Sequence, residues 1–416
     1  DAYGRYGNHQ RAAALLKEAA GRTREAARLR AEASLASYRG ELATALGLWQ
    51  RVLELEPLAM DAHGAVAQLL AETQGRAAAQ EHLGRAAERF PHHYPLHQLQ
   101  IEWLRSEDPA VLEAAVRKVI EMNPSDSWAQ RELALCLCRP SRVDEALACA
   151  DRAIKLDPTN PFSHAVRGRV LNLAGRYEQA RRACMAAIKL SVDTDVAISE
   201  LIAACETVKQ RREALAFVQK ELVRQVIFGE GLLARRHHAA DTLDPAELET
   251  SLRAALEARP DLWHAWSALI RQLAEMNRLS DAVEIARQAT ERFPLLPALW
   301  LDLSIVLQLS GDFAGEKEAL KKALAISPGW GVAVRRLAAA HERSNELAES
   351  RALLEQAIAF TPLDPFNHGC LADTLWKLGE REAAVERLQH AVRLEPDYDW
   401  AWRELRGWAA ELKRPG

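Results

Sequence analysis

The chain has little of what would tie a fold together from outside its core. It has six cysteines, Cys136, Cys138, Cys149, Cys184, Cys205 and Cys370, with no CxxC pair and no regular spacing. A disulfide framework is therefore not expected; buried free thiols are, and they favour a reducing, cytoplasmic compartment. Aromatics make up only 6% of the residues, and no β-branched run reads as a strand. No apolar stretch approaches the ~18 residues of a membrane span, and no signal peptide is visible. The formal net charge of −4 is small for 416 residues, so no bulk field argues for nucleic acid.

Catalytic signatures are missing as well. There is no G-x-x-x-x-G-K phosphate loop, no G-x-S-x-G elbow and no H-E-x-x-H; His341-Glu342-Arg343-Ser344-Asn345 lacks the second histidine. His93 and His97 are four apart, but Pro95 lies between them and no third ligand is evident. The adjacent His237 and His238 point to different faces of a helix. Carboxylates follow solvated helix faces and pair with Arg or Lys three or four residues away. We therefore expect no catalytic residue, no cofactor and no metal site in this chain.

What is present is a period. Pro57, Pro91, Pro124, Pro158, Pro260, Pro294, Pro328, Pro362 and Pro396 are separated by 34, 33, 34, 102, 34, 34, 34 and 34 residues, and 102 is three periods. Each closes a similar phrase, such as LELEP, IKLDP or VRLEP. Alanine, leucine, arginine and glutamate dominate, a helical composition. Self-similarity at this period marks stacked units, each too small to bury its own apolar surface.

The segment Pro161 to Val192 shows the slots. Gly168 is small where two helices must approach. Gly175 ends the first helix in a left-handed turn, and Tyr177 opens the second. Ala180, Cys184 and Ala187 then form a small apolar stripe at helical spacing. The stripe recurs as Ala146, Cys149, Ala153; Ala282, Ala286, Ala289; and Ala384, Leu388, Ala391. Gly311 and Gly379 repeat the turn glycine, with Asn277 and Asn345 as substitutes. Trp266, Trp300 and Trp402 fill a bulky slot of the first helix and are expected in the core.

These offsets resemble the tetratricopeptide repeat over nearly the whole chain. The resemblance implies an all-α, right-handed superhelical solenoid of stacked antiparallel helix pairs. Eleven pairs are expected from about Ala26 to Pro396. Residues 1–25 would hold a partial repeat, with a second helix at Asn8 to Ala20, and 397–416 a capping helix from Asp399 to Lys413 followed by a tail. The start within a repeat leads us to expect a segment of something longer. Regular repeats are expected over 26–226 and 261–396. Two phase marks read Val192 and Val226 instead of proline. The stretch 227–260, between Val226 and Pro260, is a degenerate repeat and a possible hinge. Ser106-Glu107-Asp108-Pro109 marks the turn of the 33-residue unit.

In the family, slots 2, 5, 9, 12 and 13 of each unit line a concave groove. Slot 5 here carries Arg30, Arg131, Arg335 and Arg403, and slot 9 carries Arg169 and Arg271. Trp376 and Trp400 fall on the same expected face. Arg131, Arg169, Arg271, Arg335, Trp376 and Arg403 are thus the candidate partner-binding residues, since guanidinium forks suit carboxylates. The asparagines of the chaperone-tail carboxylate clamp are missing: slot 9 reads Ser34, Gln68, Glu102, Leu135, Arg169 and Ala203. The asparagine ladder of the sugar-transferring relatives is missing too. The expectation is a non-catalytic scaffold that binds a peptide or partner protein, without nucleic acid or membrane. The alternatives are the recognition arm of a larger enzyme, and self-association through the ends of the stack.

Overall fold

The computed structural model describes residues 9–19, 22–105, 108–225 and 229–412. Among them are 24 α-helices, one 3₁₀ turn at Pro140–Arg142, and no strand. Eleven helix pairs run from Glu25–Tyr38 to Arg381–Leu394, preceded by His9–Ala19 and followed by Asp399–Glu411. The all-α stack of helix pairs expected from the period is what is found. Ser106, Glu107, Val226 and the chain ends beyond His9 and Leu412 lie outside the described residues.

Local chemistry explains where four of the helices begin. Asp108-Pro109, Asn160-Pro161, Asp244-Pro245 and Asp364-Pro365 each place an acceptor at the cap and a proline at the first helical position. The capping oxygen takes a backbone N–H two residues on, at 2.8–3.0 Å. The turn between paired helices needs a left-handed residue, and the chain supplies one: Gly175 has φ 68°, Asn277 58° and Asn345 60°.

A second recurring bond joins the proline to the next helix. The ring nitrogen of the residue six positions after the phase proline faces that proline's carbonyl oxygen. The pairs are His63–Pro57, His97–Pro91, His164–Pro158, Trp266–Pro260, Trp300–Pro294, His368–Pro362 and Trp402–Pro396, at 2.8–3.1 Å. Histidine and tryptophan share the slot because both offer a ring N–H at similar reach. In the case of His97, this places the Nε2 on Pro91, so the ring is part of the repeat's own scaffold.

The small stripe of the second helix is buried as expected, with one shift: Ala146, Ala150 and Ala153 are fully buried and Cys149 is only half-buried. The 3.6-residue pitch favours the four-residue step there. Trp266 is core, and Trp300 is half-buried. Trp402, expected in the core, is 45% exposed. Among the described residues no helix pair packs beyond Asp399–Glu411 to cover it.

The chain forms two compact units. One joins the described residues up to Ala86 with those from Thr290 on; the other runs from Ala87 to Ala289. In the second unit, Ile101, Val116, Leu133, Val170 and Leu171 belong to one continuous core spanning successive pairs. Its departures from the period have local reasons. Val192 stands where a proline is due, and its backbone N–H, which proline lacks, donates to Gln225 Oε1 at 2.9 Å. In the degenerate repeat, Asp193 Oδ1 accepts the N–H of Gly231 at 2.9 Å. His238 Nε2 lies 3.1 Å from Ser199 Oγ. In the first unit, Leu371, Leu375, Leu388, Val392 and Trp408 form the core of the last pair and the trailing helix.

Candidate functional site

The first helices present the residues the sequence nominates, and most of those residues turn out to be engaged within the chain. Slot 5 shows a common geometry. Arg30 Nε donates to Asp61 Oδ2 at 2.6 Å, and its Nη2 donates to Glu56 Oε2 at 2.6 Å. That bond holds the Asp61 carboxyl below its ordinary pKa. Arg335 Nη1 donates to Asp364 Oδ2 at 3.0 Å and Asn367 Oδ1 at 3.1 Å, with its guanidinium 5.6 Å from the centre of the Phe366 ring. Arg131 lies 5.8 Å from the centre of the Phe162 ring and is largely buried, which lowers its pKa. Asp61, Phe162 and Phe366 each stand 31 residues after the arginine, at the same slot of the next unit. Arg30, Arg131 and Arg335 therefore staple consecutive pairs, by charge–charge bonds or by cation–π contact.

The remaining candidates are arranged differently. Arg169 is exposed, with Nε 3.9 Å from Glu200 Oε1. Arg271 and Arg403 are exposed, and Arg403 has no hydrogen-bond or ion-pair partner among the described residues. Trp376 is stacked on Trp408 of the trailing helix, ring centres 4.4 Å apart and planes within 5°. The Arg381 guanidinium lies 3.9 Å from the centre of the Trp376 ring. This indole docks the last helix onto its neighbour. Arg131, Arg169 and Arg271 belong to one unit, and Arg335, Trp376 and Arg403 to the other.

Two clefts lie in the first unit. One, of about 270 Å³, is bounded by Arg351, Glu355, Glu380, Arg387 and Arg393, charges of both signs on second helices. The other, of about 340 Å³, opens between the first helices Pro297–Ser310 and Gly331–Arg343, beside Val332, Arg335, Arg336, Ala339 and Arg343. Sequence reasoning looked for cations only at slots 5 and 9, and so missed Arg336 at slot 6 and Arg343 at the groove slot 13. A second missed feature is apolar. Phe162, Val196, Val332 and Phe366 at slot 2, with Leu173 and Leu309 at slot 13, are all between 41% and 54% exposed. Large apolar side chains at a repeating exposed slot could have been read directly from the aligned repeats.

Several imidazoles are held neutral by the packing. Burial, and then the neighbouring His63, pulls His82 down to about 4. Burial also lowers His97, His238, His368 and His390. The unfolded chain protonates such groups below about pH 6.5 while the folded one resists, so the unfolded state binds more protons there and stability is lost as pH falls. The urea midpoint should therefore drop as pH falls from about 6.5 towards 4, and His82→Asn should flatten the slope. An unchanged midpoint across that window would show that these rings protonate freely in the folded chain.

Among the described residues no group of three or more His, Cys, Asp or Glu is placed to hold a metal ion. No described helix is long and apolar enough to cross a membrane. The described cysteines are unpaired, and burial raises the thiol of Cys184 to about 12, which leaves it inert as a nucleophile.

Family models described as tetratricopeptide repeat match residues 149–182, then 104–161 and 267–329, and finally 371–398. Protein FlbA of Caulobacter vibrioides is 29% identical over 163 residues, 36% of this chain and 27% of that protein. The TPR repeat-containing thioredoxin TTL4 of Arabidopsis thaliana is 25% identical over 341 residues, 68% of this chain and 46% of that protein. The chain thus spans less than half the length of either relative. Among solved structures, yeast Tom70 is 12% identical, with a TM-score of 0.48, over 93% of this chain and 96% of that one. The APC/C hetero-tetramer Cut9-Hcn1 gives 13% identity and a TM-score of 0.36 over the same shares, 93% and 96%.

Proposed function

This chain belongs to the tetratricopeptide repeat superfamily, and from that premise we propose that it is a non-catalytic scaffold whose first helices bind an extended peptide or partner protein. The observation that carries the reading is the set of exposed apolar side chains at slots 2 and 13, Phe162, Leu173 and Val196 in one unit and Leu309, Val332 and Phe366 in the other. A chain that only stacked would cover or replace large apolar groups at a repeating exposed slot. Around them, the stapling arginines are fixed by the next unit, so the face is pre-organised for a ligand. Arg169 in one unit and Arg403 in the other supply exposed cations. The unpaired thiols favour a reducing, cytoplasmic setting.

A second reading, the recognition arm of a longer protein, is favoured by the lengths of the relatives, of which the chain spans 27% and 46%. In that case the same face delivers a partner to chemistry located elsewhere. Hydrogen-exchange footprinting of the intact chain with a captured protein tests both readings at once. Protection should run along consecutive first helices.

A further inference from the structure

We propose that the cleft between Pro297–Ser310 and Gly331–Arg343 binds a peptide segment carrying an Asp or Glu beside an apolar residue, with its carboxylate seated on Arg336. This rests on the binding-face reading above and names the partner's chemistry at one place on that face.

Three guanidiniums border the cleft, and two are already occupied. Arg335 is bonded to Asp364 and Asn367. Arg343 Nη2 donates to Glu316 Oε2 at 2.5 Å, and the Glu316 side chain is only 2% exposed. Glu316 lines the cleft as well, but its side chain is buried and its charge is matched by Arg343. Arg336 is half-buried, and its sole hydrogen bond among the described residues goes from Nη1 to Gln308 Oε1, at 3.3 Å. No carboxylate among the described residues lies within ion-pair distance of it. A guanidinium has five N–H donors, and one long bond to an amide leaves a partly desolvated cation without a counter-charge. A carboxylate restores that balance with two parallel bonds.

The surroundings choose between possible anions. Val332 lies on the cleft and is 43% exposed, while Phe313, 52% exposed, lies against Arg343. Ala339, also exposed and bordering the cleft, takes up little room beside Arg336. One open guanidinium among apolar neighbours fits a single acidic residue followed by Leu, Ile or Phe. It does not fit a string of phosphates, which needs a run of cations. A basic peptide is disfavoured by the unmatched charge of Arg336.

The test is selection of a random dodecapeptide display library on the intact chain. A fluorescein-labelled copy of the most enriched peptide is then titrated by anisotropy against wild type, Arg336→Glu, Arg336→Lys and Ala339→Trp. The expected result is enrichment of Asp or Glu next to Leu, Ile or Phe. Binding should weaken by about tenfold or more in Arg336→Glu and, by blocking the cleft, in Ala339→Trp. Arg336→Lys, which keeps the charge but loses the fork, should fall between them and wild type. Circular dichroism of each variant checks the fold, and Ala339→Trp leaves every ion pair intact. Enriched peptides that are neutral or basic, or acidic peptides bound equally by all four proteins, overturn this inference and leave the binding-face reading standing. If no peptide is enriched, both fall.

Discussion

Replacing Gly168 with leucine is expected to destabilise the surrounding helix pairs by about 3 kcal/mol or more, at the upper end of what overpacking costs. The β-carbon alone would stand 2.4 Å from Cys184 Sγ, with Ala180 O and Cys184 N at 3.6 Å. Cys184 is fully buried, so its sulfur has nowhere apolar and empty to go. The urea midpoint should fall sharply in Gly168→Leu and less in Gly168→Ala. Adding Cys184→Ala to Gly168→Ala should recover most of the smaller loss, because the sulfur is the obstacle. If leucine is tolerated at Gly168, these two helices are not packed as described.

The second large effect concerns the trailing helix. Trp408 is 3% exposed, packs with Leu388, Val392 and Ala401, and stacks on Trp376. Trp408→Ala should remove about 3–5 kcal/mol of local stability. That loss should stay near its origin, since a helix pair leans mainly on the pairs beside it. Amide protection should collapse across Pro365–Lys377 and Arg381–Leu394 while Pro161–Leu173 and Tyr177–Leu190 keep theirs. Uniform loss of protection through the chain would show a single cooperative core instead of a stack.

The architecture was legible in the sequence because it repeats. Proline phase, left-handed Gly or Asn, and the small stripe are short-range requirements, and each is written in the residue that meets it. Gly168 and Asn345 do what their slots demand. The ring slot was half-read: Trp266 stood out, whereas His63 and His368 did not and His97 was weighed only as a metal ligand, because a histidine in isolation suggests titration or metal before it suggests a fixed donor. Yet the six-residue step from each proline was visible throughout.

The face was harder. Slot numbers tell which residues lie on one side of a helix, but not whether a long side chain is spent on the next unit. Arg131 and Arg335 reach 31 residues ahead to Phe162 and Phe366, and Trp376 is covered by Trp408. Arg336 was passed over because its openness depends on the absence of a carboxylate in a neighbouring helix, a fact of three dimensions. The Cys149 shift is of the same kind, a choice between three-residue and four-residue steps that packing alone decides.

The most direct measurement is hydrogen-exchange footprinting of the intact chain with and without a protein it captures from cell extract. The account predicts slowed exchange in consecutive first helices, among them Pro161–Leu173, Gly331–Arg343 and Pro365–Lys377, with the second helices behind them unchanged. Protection confined to second helices, or no protection anywhere when the captured protein is bound, would contradict it.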